Sequence, residues 1–370
     1  MLRKTDGSYP DYRYEPTECP PVLIELEKIL FAEPDLAIFN GQLQVMGNGA
    51  IRWEIPQLVI WLLKRGYRVG AEIAVHDLER YVRSQYLQSK RVLGLAGLKV
   101  KAVCRMERGI ELLSWADLQD SVTKKLIYEN CIQSIHPFSP SAALTQELQF
   151  AKRHIREGEK FSITPPGDID LDDAVLIISA VGPFAPRIVA SWIELPDWAP
   201  SLGVGYSIPY PEGIVRNDEW ESTHCPIAAE IHKKFLSLDT ATKQNLRVPM
   251  GRLRSGLQSA SEVDAAIDLG IALEGLYLDE DGAQGELNFR LRLRMSRYLE
   301  ADPVLRRSTF NLGKNIYDMR SSAVHKGRVE RRYGRMNTPD ILREGFKDVA
   351  DTIISFIRRG KPDWDSIQLG

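Results

Sequence analysis

The stretch YDMRSSAVHKG, Tyr317 to Gly327, holds an arginine and a histidine, Arg320 and His325, separated by small or apolar residues. Histidine takes or gives a proton near neutral pH. Arginine offers a planar fork of donors to phosphate oxygens and to the charge that builds on them in a transition state. With the Ser321 hydroxyl and the Tyr317 phenol, these groups suit cleavage of a phosphodiester. RNA carries its own nucleophile in the 2′-hydroxyl, so such a site needs no metal, and no metal or cofactor is expected. The plainer reading of the same residues is that Arg320 pairs with Asp318 or Glu274 and His325 ends a helix.

The element that carries them reads as a helix. At about 100° per residue, Leu312, Ile316, Met319 and Ala323 fall on one face, which must be the core side. Lys314, Tyr317, Ser321 and His325 gather about half a turn away, and Arg320 sits between the two faces. Asp302 before Pro303 marks the start of this helix, and Gly327 marks its end. Helical patterns precede it over His224–Leu238, Thr240–Leu257, Glu262–Leu278 and Gly285–Leu299. Another follows from Thr338–Pro339 to Arg358–Arg359, with Leu342, Phe346, Val349, Ile353 and Phe356 as its core stripe.

Charge supports a polyanionic partner for this region. Between Ala283 and Lys361 there are 18 Lys and Arg against 9 Asp and Glu, a net of +9 within a chain of formal charge −2. A basic segment on an acidic body is an electrostatic footprint for nucleic acid, although a solvated basic face gives the same count. The expected RNA contacts are Lys314, Arg294, Lys326, Arg328, Arg331 and Arg332. Arg290 and Arg297 share a side of their helix with Arg294, beside an apolar stripe of Leu287, Leu291, Met295 and Tyr298.

The remainder of the 370 residues has the composition of an ordinary globular protein, 44 % apolar and 26 % charged. Helical runs are expected at Pro56–Lys64 and Glu72–Ser89, and a strand pair over Val100–Trp115. From Lys160 to about Tyr210 the apolar, β-branched runs DAVLIISAVG and ASWIEL read as strands between Pro/Gly clusters. The fold class is therefore α+β: a mixed α/β N-terminal portion, residues 1–140 with a β-rich segment 141–220, followed by an all-α bundle over 221–361. The run Ile55–Gly66 is too short to cross a bilayer, and the first residues lack the apolar core of a secretory leader. Cys19, Cys104, Cys131 and Cys225 show no paired spacing, so a reducing cytoplasm is expected.

The C-terminal segments DLGIALEGLYL (Asp268–Leu278), ELNFRLRLRMSRYL (Glu286–Leu299) and YDMRSSAVHKG together resemble the HEPN superfamily, and more narrowly the Apea-like HEPN group of bacterial anti-phage defence. The similarity runs from about Pro226 to Lys361. HEPN ribonucleases share an arginine, four to six residues and a histidine, often with a polar residue after the arginine; here these are Arg320, Ser321 and His325. Lys326 interrupts the family's usual His-Gly. The resemblance implies a four- or five-helix bundle, a homodimer with its Arg–His helices facing each other, and a regulated ribonuclease that awaits a phage or stress trigger. It also admits members that bind or scaffold without cutting. A second segment, Ile163–Val175, looks like the acidic motif of RNase II exonucleases. Asp170, Asp172 and Asp173 match, but Thr164 stands at the early aspartate and nothing around the segment resembles that family's far larger catalytic domain, so an acidic turn before a strand is the better reading.

Overall fold

The structure is a computed structural model that describes residues 21–37, 40–46, 49–52, 54–133, 138–155, 168–200, 206–207, 214–278 and 286–369. Its strands are β1 (Leu43–Met46), β2 (Gly49–Arg52), β3 (Tyr86–Ala96), β4 (Leu98–Val100), β5 (Cys104–Met106), β6 (Ile110–Ser114), β7 (Ala142–Ala151), β8 (Arg153–Ile155), β9 (Arg187–Glu194), β10 (Tyr206–Ser207), β11 (Asp218–Trp220), β12 (Arg332–Tyr333) and β13 (Met336–Asn337). Its helices are α1 (Pro21–Ala32), α2 (Pro34–Ala37), α3 (Ile55–Val69), α4 (Ala71–Arg83), α5 (Val122–Gln133), α6 (Asp168–Val181), α7 (His224–Ser237), α8 (Thr240–Gln258), α9 (Glu262–Tyr277), α10 (Leu287–Leu299), α11 (Pro303–Lys326), α12 (Thr338–Arg359) and α13 (Trp364–Leu369). This is a mixed α+β fold with a helical C-terminal part. No helix among the described residues is long and apolar enough to cross a membrane.

The chain divides into two compact units that do not follow the expected cuts at 140 and 220. One comprises Met1–Ser89, Gln149–Pro166 and Leu195–Gly205; the other comprises Lys90–Leu148, Gly167–Glu194 and Tyr206–Gly370. In the first, α3 buries Ile55, Leu58, Val59 and Leu62, one helical face at i, i+3, i+4 and i+7, against Ala74, Leu78 and Tyr81 of α4. The helix expected to run on to Ser89 stops at Arg83. Ser84 turns extended, and from Tyr86 the chain alternates exposed and buried as strand β3.

The second unit holds a six-stranded sheet in the order β10-β9-β3-β7-β6-β5. The strand pair expected over Val100–Trp115 is the β5–β6 hairpin, with Cys104 opposite Leu112. DAVLIISAVG, expected as a strand, lies instead in helix α6. Its Leu171, Ala174, Val175 and Ile178 join Leu93, Leu95, Leu112 and Leu144 of the sheet in one core. Ile177 and Ala180 belong to a different core, shared with Ile231, Met250, Leu273 and Ile353 of the helical part. A helix packed on both sides is apolar all round, and its sequence loses the period that separates helix from buried strand.

The helical part follows the expected order of elements. Asp302 caps α11 by accepting from the backbone N–H groups of Val304 and Leu305, and Gly327 ends it at φ +62°. Leu312, Ile316, Met319 and Ala323 are buried, as the helical wheel predicts. α12 buries Phe346, Val349, Ile353 and Phe356 beside Tyr277 and Leu269 of α9. Each such side chain contributes about 1.5–3 kcal/mol relative to exposure. α13 was not foreseen; its Trp364 packs at tilted and edge-on angles against the Tyr277, Tyr298 and Phe356 rings.

Candidate functional site

The outer face of α11 carries the candidate groups. Lys314 and His325 are exposed, while Tyr317, Arg320 and Ser321 are half-buried. His325 and Lys326 occupy the last turn, where the helix dipole favours cations.

Arg320 leans onto α9. Its Nη2 donates to Glu274 Oε2 at 3.1 Å. The arginine stem crosses the α9 backbone at Gly270, one turn before Glu274; a Cβ there would meet Arg320 Cγ at 2.5 Å. The close approach therefore depends on glycine. A small cavity of about 10 Å³ lies beside the stem, bounded by Leu273, Leu291, Gly313 and Tyr317. Arg320 Nε is buried next to it, with no hydrogen-bond partner among the described residues.

Two consequences follow for the chemistry. Arg320 and His325 are about 140° apart around the helix and ~7.5 Å apart along it. A phosphate held by His325 of one copy therefore lies well away from an Arg320 that stays on Glu274. Tyr317, in turn, is half-buried and lines the small cavity beside the Arg320 stem. The pairing of Arg320 with Glu274 was one of the alternatives legible in the sequence. Gly270 was missed, although a glycine inside a helix costs about 1 kcal/mol and so asks for a packing reason.

The basic residues divide. Lys314, Lys326, Arg328, Arg331 and Arg332 are exposed. Arg331, Arg332 and Arg335 belong to a tight β12–β13 hairpin just beyond α11, anchored by buried Tyr333, whose hydroxyl accepts from the Glu330 N–H at 2.9 Å. Arg328 stands 3.8 Å from Glu330, an exposed pair of small energetic weight. Arg294 departs from expectation. It is 4 % exposed and donates to the Tyr277 carbonyl at 2.6 Å. Its stem lies on the Arg-bearing side of α10, but that side is covered by α13, where Arg297 also donates to the carbonyls of Ile367 and Gln368. Arg294 is thus a structural group, unavailable to a phosphate.

The acidic segment is likewise engaged. Asp173 is buried and accepts a two-pronged bond from Arg247, 2.8 Å in each prong, which raises the arginine above its ordinary range. Asp170 pairs with Arg108. Asp172 is exposed one residue before Asp173. Thr164 lies outside the described residues. Among the described residues no three His, Cys, Asp or Glu side chains group as metal ligands. The segment starts a helix, not a strand, so the acidic turn is the N-terminal turn of α6.

No family model, curated protein or solved structure matches the chain.

Proposed function

We propose that the protein is a metal-independent endoribonuclease of the HEPN type, completed by pairing of two α11 helices and held in check until a phage or stress signal arrives. The observation that carries this reading is the outer face of α11, where exposed His325 and Lys314 share one helix with half-buried Arg320 and lead directly into the basic β12–β13 hairpin. His325 serves as general acid/base. Arg320 holds the phosphate and the charge developing on it, and Ser321 and Tyr317 position the substrate. Lys314, Lys326, Arg328, Arg331 and Arg332 follow the RNA backbone.

One observation favours a second reading, a HEPN module that binds RNA or a partner protein without cutting it. Arg320 is already satisfied in part by Glu274, and an arginine fixed that way need never meet a substrate. The test is digestion of RNA by purified protein in EDTA, with His325→Ala in parallel. Cleavage that persists in EDTA, leaves a 2′,3′-cyclic phosphate and spares DNA supports the nuclease. Equal cleavage by wild type and the variant excludes the assigned site, and RNA binding without cleavage selects the second reading.

A further inference from the structure

We propose that Cys104 and Cys225 form a thiol oxidation site, a dithiol that a small-molecule disulfide converts into an internal disulfide joining β5 to the first turn of α7. The two lie 121 residues apart in sequence, and no motif pairs them. Topology brings them together. β11 runs parallel to β4, with Trp220 opposite Val100, and this places the start of α7 against the end of the sheet where β5 begins. Cys104 Sγ stands 3.7 Å from the carbonyl oxygen of Cys225, and both thiols are free.

Their surroundings differ in a way that assigns roles. Cys104 is fully buried among Leu98, Ile110, Leu112 and Ala228. Burial, reinforced by the neighbouring Cys225 thiol, pushes Cys104 up to about 12. Cys225 is only partly covered, and its sulfur accepts the Trp220 Nε1–H at 3.3 Å, which fixes its position. Cys225 is therefore the thiol that an external disulfide can reach, and Cys104 the one that resolves the adduct.

With glutathione disulfide the steps balance. The Cys225 thiolate attacks one glutathione sulfur, the glutathione S–S bond breaks, and one glutathione leaves as a thiolate that takes up the proton Cys225 gave to solvent. Cys104 then loses its proton and attacks the Cys225 sulfur. The Cys104–Cys225 bond forms as the second glutathione leaves and is protonated. Two protein thiols are oxidised and one glutathione disulfide is reduced to two glutathiones. The bond would tie the sheet to α7, whose Ile231 and Phe235 sit in the helical core.

The experiment equilibrates the full chain with glutathione disulfide, alkylates the remaining thiols with iodoacetamide and maps peptides by mass spectrometry. Wild type is expected to yield a linked Cys104–Cys225 peptide. Cys104→Ala should stop at a glutathione adduct on Cys225, and Cys225→Ser should leave Cys104 unmodified until the protein is unfolded. The wild-type result decides even if a variant folds poorly. Recovery of both thiols alkylated, a persistent adduct at Cys225, or linkage of Cys225 to Cys19 or Cys131 would overturn the proposal.

Discussion

At the scale of the residue, His325 and Arg320 are asymmetric partners. His325 is exposed, so its truncation removes little buried surface, and His325→Ala is expected to abolish RNA cleavage while leaving thermal unfolding nearly unchanged. Arg320→Ala should also abolish cleavage. Its pair with Glu274 is about one-third exposed on both sides, so losing it costs about 1 kcal/mol or less, and circular dichroism should show an intact fold. If both variants fold and cut like wild type, the pair does no chemistry. The residue types at this site were legible because the wheel of α11 alone separates its buried stripe from its outer face. Arg294 was not legible in the same way. A basic residue beside an apolar stripe reads as a surface cation, and only the unforeseen α13 turns that side of α10 inward. The aliphatic stem of arginine tolerates such burial when its head finds a carbonyl.

At the scale of the element, the α9–α11 contact sets where Arg320 can be. Gly270→Ala introduces a methyl 2.5 Å from Arg320 Cγ, and the arginine must shift or the helices must part. Overpacking costs about 1–3 kcal/mol, and the gain in helix propensity returns about 1. The expected outcome is a small net loss of stability by denaturant titration together with a changed cleavage rate. An unchanged rate would show that Arg320's seat on α9 is irrelevant to function. α12 offers a pH test. Burial raises the Asp348 carboxyl to about 7, with Lys347 opposing and Asp351, Glu344 and Glu300 adding to the shift. A carboxyl raised on folding is neutral in both states at low pH, so its penalty is absent below about pH 4, grows as pH rises, and is complete above about 7. Asp348→Asn should therefore be more stable than wild type at pH 8, by an amount on the order of a few kcal/mol, and nearly equal to it at pH 4. Equal pH profiles for the two proteins would contradict the burial. The helices of this part were legible since each keeps one apolar stripe. α6 was not, because two cores use it and, beyond the acidic residues of its first turns, no polar face remains to show its period.

At the scale of the whole molecule, the composite site makes a claim about assembly. A lone outer face of α11 is convex; it neither excludes water nor holds a phosphate from two sides. Two copies about a two-fold axis would supply a cleft with paired histidines and arginines. Exposed Val324, beside His325, offers an apolar contact that offsets repulsion between the two basic faces. Specific activity is expected to fall as the protein is diluted through its dissociation range, in step with mass by light scattering. A fully active monomer excludes the composite site. Low salt without RNA should weaken pairing, since screening of like charges falls. The compact units do not divide at 220, and the reason is physical. Sequence composition changes there from strand-like to helical language, but the sheet of residues 90–148 and 167–194 and the helices after 206 form one compact unit.

The two-sided burial of α6 bears on how this unit comes apart. Ile177 and Ala180 complete the helical core from outside the helical stretch of sequence, while Leu171, Ala174, Val175 and Ile178 complete the sheet core. Neither layer can melt and leave the other with its interior closed, so sheet and bundle should lose protection from hydrogen exchange together, as a single cooperative unit. Nor can the helices be excised at residue 221 as a self-sufficient piece, since the cut would leave an open apolar trough where α6 had lain.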